Sequence, residues 1–143
     1  MPNIPYLAGI GSLMYALMGS RPDITFATNK LSQYNADPGP AHWTALQRVF
    51  CYLKKNRNHC LTLGGKEMPL LGGYMDSDYT GCIYSHHSTS GYLFMLGDCL
   101  ISWSSKHQAI VTTSTCEAEY VASCHDTKEA VWLRNLLDLL GHT

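Results

Sequence analysis

Apolar residues in the first half of the chain recur at helical spacing. One set follows intervals of three or four and predicts a helix face: Ile24, Ala27, Leu31 and Tyr34. Ser20 with Asp23 three residues later, and Pro22 between them, is typical of a helix start. The segment Pro38-Gly39-Pro40 predicts that this helix has ended before residue 40.

A second helix is predicted directly after that break. Its apolar face comprises Trp43, Leu46, Val49, Phe50 and Leu53. Lys54, Lys55 and Arg57 follow near its C-terminal end, where positive charge interacts favourably with the helix dipole. We therefore expect residues 1–63 to be mainly helical.

The apolar period changes after Gly64-Gly65. Residues 70–76, 89–96 and 99–104 have the composition of β-strands, and Gly97-Asp98 predicts a tight hairpin between the last two. Because the three segments are close in sequence, we expect three neighbouring antiparallel strands.

A final helical segment follows the strands. Ser114 with Glu117 three residues later predicts an N-cap with a capping box. Asp126 and Glu129 repeat that spacing, so two interpretations stay open: two helices up to residue 140, or one kinked helix.

Composition narrows the class of protein. A chain of 143 residues with 45% hydrophobic content is long enough for a packed core. The six cysteines include no Cys-x-x-Cys pair, which argues against a zinc ribbon and favours reduced thiols. The sequence has no uninterrupted run of 18 apolar residues, so it predicts no membrane span. A signal peptide would require a basic residue near its start, and no Lys or Arg precedes Arg21. The expected location is intracellular, in the cytoplasm or nucleus.

Charge is divided unevenly between the two halves. Residues 1–63 contain six Lys or Arg against two Asp, a net charge of +4. Residues 64–143 contain four basic and nine acidic residues, a net charge of −5. The first half is thus suited to phosphate backbones, whereas the second would repel them unless a cation intervened.

An ordered set of motifs spans nearly the whole chain. In chain order they are Gly11-Ser-Leu-Met-Tyr-Ala, Arg21-Pro-Asp-Ile, His42-Trp43 with Arg48 and Tyr52-Leu53-Lys54, Gly73-Tyr-Met-Asp-Ser-Asp, Ser88-Thr-Ser-Gly-Tyr, Ile101-Ser-Trp-Ser-Ser-Lys and Ser114-Thr-Cys-Glu-Ala-Glu-Tyr. The set resembles the Pol polyprotein of copia-type retrotransposons, from the end of the reverse transcriptase into the ribonuclease H domain. The resemblance implies a helical remnant of the reverse transcriptase in residues 1–63. It implies an incomplete α/β ribonuclease H-like fold, of three antiparallel strands and a helix, in residues 64–143.

The resemblance also implies an activity, which is cleavage of the RNA strand of an RNA–DNA hybrid by two divalent cations, Mg²⁺ or Mn²⁺. The family's first metal-binding carboxylate corresponds to Asp76, whereas Asp78 fits a turn residue better. The second lies in the Glu-Ala-Glu-Tyr motif. Because Glu117 is expected to cap its own helix, Glu119 is the implied catalytic and metal-binding residue.

The family's later Asp-Asn-x-x-Ala strand and fourth acidic residue do not occur in these 143 residues. We therefore expect the chain to be inactive alone, with any Mg²⁺ or Mn²⁺ weakly bound. The strand at residues 70–76 would lack one neighbour, and its open edge predicts self-association.

Other interpretations stay open. The chain could be a non-catalytic module that binds a hybrid or the reverse transcriptase polyprotein, or a degenerate remnant of an element. Cys82 with His86-His87 could ligate a transition metal, with Cys116 or Cys124-His125 as distant partners.

Overall fold

A computed structural model describes residues 4–64, 70–81 and 86–141 of the chain. Two compact units divide between Leu61 and Thr62. We call residues 1–61 the helical unit and residues 62–143 the sheet unit. The sequence had placed this boundary between residues 63 and 64.

The described residues of the helical unit form three α-helices and a short 3-10 turn. They are α1 (Tyr6–Gly19), the turn Pro22–Ile24, α2 (Thr25–Ser32) and α3 (Pro40–Lys55). Seven buried apolar side chains form one core: Tyr6, Ile10, Leu13, Leu17, Ile24, Leu31 and Leu46. Tyr6 satisfies its buried hydroxyl by donating to the Leu31 carbonyl at 2.8 Å, so the core contains a polar group at little cost.

The helix start that the sequence predicts at Ser20, before α2, is wrong in detail. Neither the 3-10 turn nor α2 has a side-chain cap, and Ser20 caps neither of them. Asp23 instead accepts two hydrogen bonds from the Arg21 guanidinium, at 2.9 and 2.7 Å. A bidentate charged pair is stronger than a neutral capping bond, which accounts for the different role of Asp23.

The second helix is confirmed as α3. It begins after Gly39, with Pro40 in its first turn, and the Gly39 amide donates to the His42 ring at 3.0 Å. Tyr34 stacks on the same ring, with 3.8 Å between the ring centroids.

Within residues 62–64, 70–81 and 86–141, the sheet unit forms three antiparallel strands and a helix. They are β1 (Leu71–Asp78), β2 (Thr89–Leu96), β3 (Cys99–His107) and α4 (Thr115–Leu139), and the strand order is β1-β2-β3. Gly97, with φ of +60°, lies in the two-residue turn before β3. The α/β class and the three-stranded antiparallel sheet are therefore confirmed, and they are consistent with an incomplete ribonuclease H-like fold.

The last segment is one continuous helix of 25 residues, which decides between the two interpretations of the sequence. The second capping pair has other roles. Asp126 is buried, and Glu129 accepts the Ser102 hydroxyl at 2.8 Å. The buried stripe of α4 comprises Ala118, Ala122, Asp126 and Leu133. Within the described ranges, no helix is both long and apolar enough to cross a membrane.

Candidate functional site

The hydrogen bonds of Gln108 show which face of the sheet α4 covers. Its side-chain amide donates to the hydroxyls of Ser90 at 2.8 Å and Ser77 at 3.4 Å, and to the Ala118 carbonyl of α4 at 2.9 Å. Because strand side chains alternate, Ser77 lies on the covered face and Asp76 on the other. The sheet therefore has a helix-covered face and an outer face.

Asp76 lies opposite Gly91 of β2 and is exposed. Its carboxylate accepts the amide N–H of Ser77 at 2.9 Å. It lines a shallow cavity of about 270 Å³ together with Tyr74, Gly91 and Leu93. The site residue predicted in β1 is thus accessible to solvent and to a ligand.

Glu117 is engaged at the N-terminus of α4. Its amide donates to the Ser114 hydroxyl at 3.1 Å, as predicted. Its carboxylate accepts the amide of Thr113 at 2.6 Å and the hydroxyl of Thr113 at 3.0 Å, one residue earlier than a capping box would require. These hydrogen bonds lower the pKa of Glu117. The capping role assigned to Glu117 is confirmed, with Thr113 as the partner.

Glu119 is exposed on α4, and its backbone carbonyl accepts the Ser123 hydroxyl at 2.8 Å. Its neighbour Ala118 is bonded to Gln108, which also contacts Ser77, so Glu119 and Asp76 lie toward the same end of the sheet unit. The outer face that contains Asp76 is nevertheless the one that α4 leaves uncovered. A shared metal ion between the two carboxylates stays a prediction.

The ligands available for a metal are few. Across residues 4–64, 70–81 and 86–141, no group of three or more His, Cys, Asp or Glu is placed to hold an ion. Two carboxylates suit one hydrated Mg²⁺ ion, whereas two ions bound side by side need more ligands. These residues therefore do not fit a complete two-metal centre.

The alternative transition-metal cluster has no support from the residues that are described. Cys82 lies outside the described residues, and the His87 ring pairs with the Gln108 carbonyl at 2.8 Å. Cys116 and Cys124 are exposed free thiols. The hydrogen bond explains His87 as a residue that positions Gln108.

Asp126 is a candidate that sequence reasoning missed. Its side chain lies on the covered face of the sheet with 5% of the residue exposed, and both carboxylate oxygens are buried without a hydrogen-bond partner. Burial raises the pKa of Asp126, and the nearby His125 opposes this effect. The spacing of four from Ala118 and Ala122 marked position 126 as buried, but the apparent capping pair with Glu129 concealed it.

Comparison with known proteins shows which proteins the chain is similar to. It is 43% identical over 141 residues, 99% of its length, to the retrovirus-related Pol polyprotein from transposon TNT 1-94 of Nicotiana tabacum. It is 41% identical over 136 residues to the corresponding polyprotein from transposon RE2 of Arabidopsis thaliana. The chain is thus similar over nearly its whole length to a segment of retrotransposon Pol polyproteins. This similarity supports the expected resemblance to a fragment of copia-type Pol sequences.

The chain spans only about a tenth of each of those two relatives, 10% and 9% of their lengths. It is also 44% identical over 133 residues to secreted RxLR effector protein 161 of Plasmopara viticola, and covers 94% of that protein. No family model matches the chain, and no solved structure matches it. The relation to Pol polyproteins therefore rests on sequence similarity to individual proteins.

Proposed function

We propose that residues 62–143 are the ribonuclease H-related part of a Pol polyprotein, and that residues 1–61 are the end of its reverse transcriptase. The activity proposed is cleavage of the RNA strand of an RNA–DNA hybrid. One observation carries the proposal: the motif with Glu119 opens a helix that packs on the strand containing Asp76, after three antiparallel strands. Similarity to Pol polyproteins over 99% of the chain supports it.

Asp76 and Glu119 are the residues proposed to hold Mg²⁺ or Mn²⁺. A bound divalent ion would supply an activated water and stabilise the leaving oxygen of the phosphodiester. The two carboxylates provide charge and hard oxygen ligands, while Glu117 remains bonded to Thr113. Because two ions need more ligands than these, we propose that the 143-residue chain does not cleave a hybrid without carboxylates supplied by another polypeptide segment.

Binding of Mn²⁺ tests the assignment independently of cleavage. Electron paramagnetic resonance of Mn²⁺ titrated with the full chain should show one weak site. Asp76→Asn and Glu119→Gln should each weaken it, and the double variant should add little, because both remove ligands from one ion. Asp98→Asn, in the turn between β2 and β3, is the matched control and should bind as the parent chain does. Binding unchanged in both single variants would overturn the assignment.

Cleavage of a labelled RNA–DNA hybrid tests the second part of the proposal. The chain alone is expected to show no cleavage that depends on Mg²⁺ or Mn²⁺. Metal-dependent cleavage that disappears in both Asp76→Asn and Glu119→Gln, and persists in Asp98→Asn, would contradict the requirement for further carboxylates.

A second candidate function is nucleic-acid binding by the helical unit. Its observation is the exposed basic surface of α3 and the residues after it, formed by Arg48, Lys54, Lys55 and Arg57. Arg21 does not contribute, since Asp23 neutralises it at 2.7 Å. A phosphate contact adds roughly 0.7 to 0.9 to the slope of log affinity against log salt. Lys55→Gln should reduce that slope for a hybrid, and Lys106→Gln in β3 serves as the control. Binding that does not depend on salt would exclude this function.

A further inference from the structure

The N-terminus of α3 is held by a histidine side chain. The residue before the helix, Gly39, has no side chain that could accept a hydrogen bond, and the first turn of α3 contains no acidic residue. The Gly39 amide instead donates to Nδ1 of His42, three residues later, at 3.0 Å. In a capping box, glutamate or glutamine ordinarily provides this acceptor. The start of α3 therefore depends on one nitrogen atom of an imidazole ring.

The hydrogen bond defines the protonation state of that ring. Nδ1 accepts the Gly39 N–H only if it carries no proton, so the His42 ring is neutral, with its hydrogen on Nε2. Tyr34 stacks on the ring, with 3.8 Å between the centroids and 17° between the planes, and holds it in this position. The His42 side chain is half-buried, so water still reaches it. Imidazole is the side chain that ordinarily gains a proton between about pH 8 and pH 5.

The surroundings of His42 do not favour a positive charge on the ring. The titratable and charged groups on the elements that pack around it are Tyr34, Lys30 of α2, Asp37 of the segment before α3, Tyr6 and Tyr15 of α1, and Arg48, six residues later on α3 itself. α1 contains no charged residue, and Asp37 is exposed, where water and salt screen its charge. A cation at the N-terminal end of a helix also opposes the helix dipole. Protonation would therefore remove an acceptor and add a charge of the unfavourable sign.

We propose that His42 is a pH-sensitive cap, and that protonation of its Nδ1 releases the Gly39 amide and opens the first turn of α3. At neutral pH the unprotonated nitrogen closes this turn, in which the Gly39 carbonyl accepts the Trp43 amide at 3.2 Å. As pH falls, the ring gains a proton and two N–H donors face each other. A cation–π contact with Tyr34 would retain the protonated ring, but it gives the Gly39 amide no acceptor. This device lies in the helical unit and does not depend on the proposed nuclease function.

Nuclear magnetic resonance of the full chain tests the proposal at the Gly39 amide. The quantity measured is the protection of this amide against hydrogen exchange, relative to the exchange rate of an unprotected amide at the same pH. Protection should fall about fivefold or more between about pH 7.5 and pH 5, as expected for the loss of one hydrogen bond at a helix N-terminus. The fall should follow the protonation of Nδ1 in the nitrogen-15 spectrum of the His42 ring.

Three variants separate the cap from other effects of pH. His42→Gln retains an acceptor that gains no proton in this range, so the Gly39 amide should stay protected at both pH values. His42→Leu removes the acceptor, and the amide should be equally unprotected at both. His59→Gln changes an exposed histidine after α3 and is the matched control, which should behave as the parent chain does. Circular dichroism verifies that each variant is folded.

Four results would each overturn the proposal. They are equal protection of Gly39 at the two pH values in the parent chain, a fall that occurs while Nδ1 is unprotonated, protection that remains in His42→Leu, and a fall that survives in His42→Gln. The last result would show that a different group, such as Asp37, controls the start of α3.

Discussion

The helical unit and the sheet unit are closed to different degrees. The helical core is built from large side chains of three helices and a turn, all in one cluster. The buried apolar residues of the sheet unit are mostly smaller: Phe94, Cys99, Ala118, Ala122 and Leu133. Since apolar stabilisation scales with buried area, the helical unit has the stronger core for its size. The sheet unit instead leaves a strand edge and a carboxylate without partners among the described residues.

A comparison of one carboxylate from each unit, Asp23 and Asp126, makes the difference concrete. Asp23 is held by the Arg21 guanidinium, whose hydrogen bonds lower the pKa of Asp23. Burial raises the pKa of Asp126, which has no such partner. The first carboxylate stabilises its unit at neutral pH, and the second opposes folding at that pH.

The largest effect is expected from Leu46→Ala. Leu46 has no exposed surface and lies in the middle of the helical core, so its truncation should cost about 2 to 5 kcal/mol of unfolding free energy. Chemical denaturation followed by circular dichroism measures it. Leu139→Ala, which changes an exposed residue of α4, should cost little. Equal losses in the two variants would show that the helical core is not closed as described.

Removal of the Arg21 guanidinium should have the next largest effect. Arg21 is buried, pairs with Asp23, donates to the Asn56 carbonyl at 3.2 Å and lies over the Tyr52 ring. Arg21→Met should destabilise the chain by about 2 kcal/mol, because it leaves a partly buried carboxylate unpaired. Adding Asp23→Asn should recover part of the loss. A double variant as unstable as the two single losses added together would contradict the pairing.

Asp126→Asn should stabilise the free chain by about 1 kcal/mol at neutral pH, since a buried unpaired charge is removed. The direction in which stability changes with pH follows from the raised pKa of Asp126. The folded chain holds the Asp126 proton more tightly than the unfolded chain does. The protonated side chain therefore contributes fully to the free energy of unfolding below the unfolded pKa of about 3.9, and this contribution is lost as pH rises through the folded pKa. The advantage of the Asn variant should therefore shrink as pH falls. An advantage that stays constant would contradict the burial of Asp126.

The smallest effect is expected from Glu117→Gln. The pKa of Glu117 is lowered by bonds to Thr113, so its contribution is present above the unfolded pKa and is lost as pH falls through the folded value. Faster amide exchange in the first turn of α4 at neutral pH should mark the variant, with little change elsewhere. A variant with unaltered exchange at Thr113 would show that this cap is unimportant.

Local patterns in the sequence predicted most of the elements. The change from helical to alternating spacing identified three strands, and Gly97 with its positive φ fixed the hairpin. The ends of the strands were less predictable. β1 continues beyond residue 76 to Asp78, and β3 continues beyond residue 104 to His107. Polar residues such as Ser77 lengthen strands here through cross-strand pairing and the Gln108 side chain, which no local pattern reveals.

The candidate site was predicted less completely than the fold. Glu117 was assigned correctly because capping is a local interaction. Asp126 was missed because its burial depends on β1, which packs against α4 but lies about fifty residues earlier in the sequence. Asp23 was likewise assigned to a cap, since its strong bidentate pairing with Arg21 depends on how the chain turns before α2.

Residue-resolved amide hydrogen exchange of the free chain tests most directly the central claim, that one edge of β1 pairs with no described strand while the core of the helical unit is closed. Amides of residues 71–78 that do not bond to β2 should exchange fast, whereas those in the middle of α1 should exchange slowly. Uniformly slow exchange throughout residues 71–78, at a rate matching that of α1, would show that the β1 edge is covered and would contradict the account.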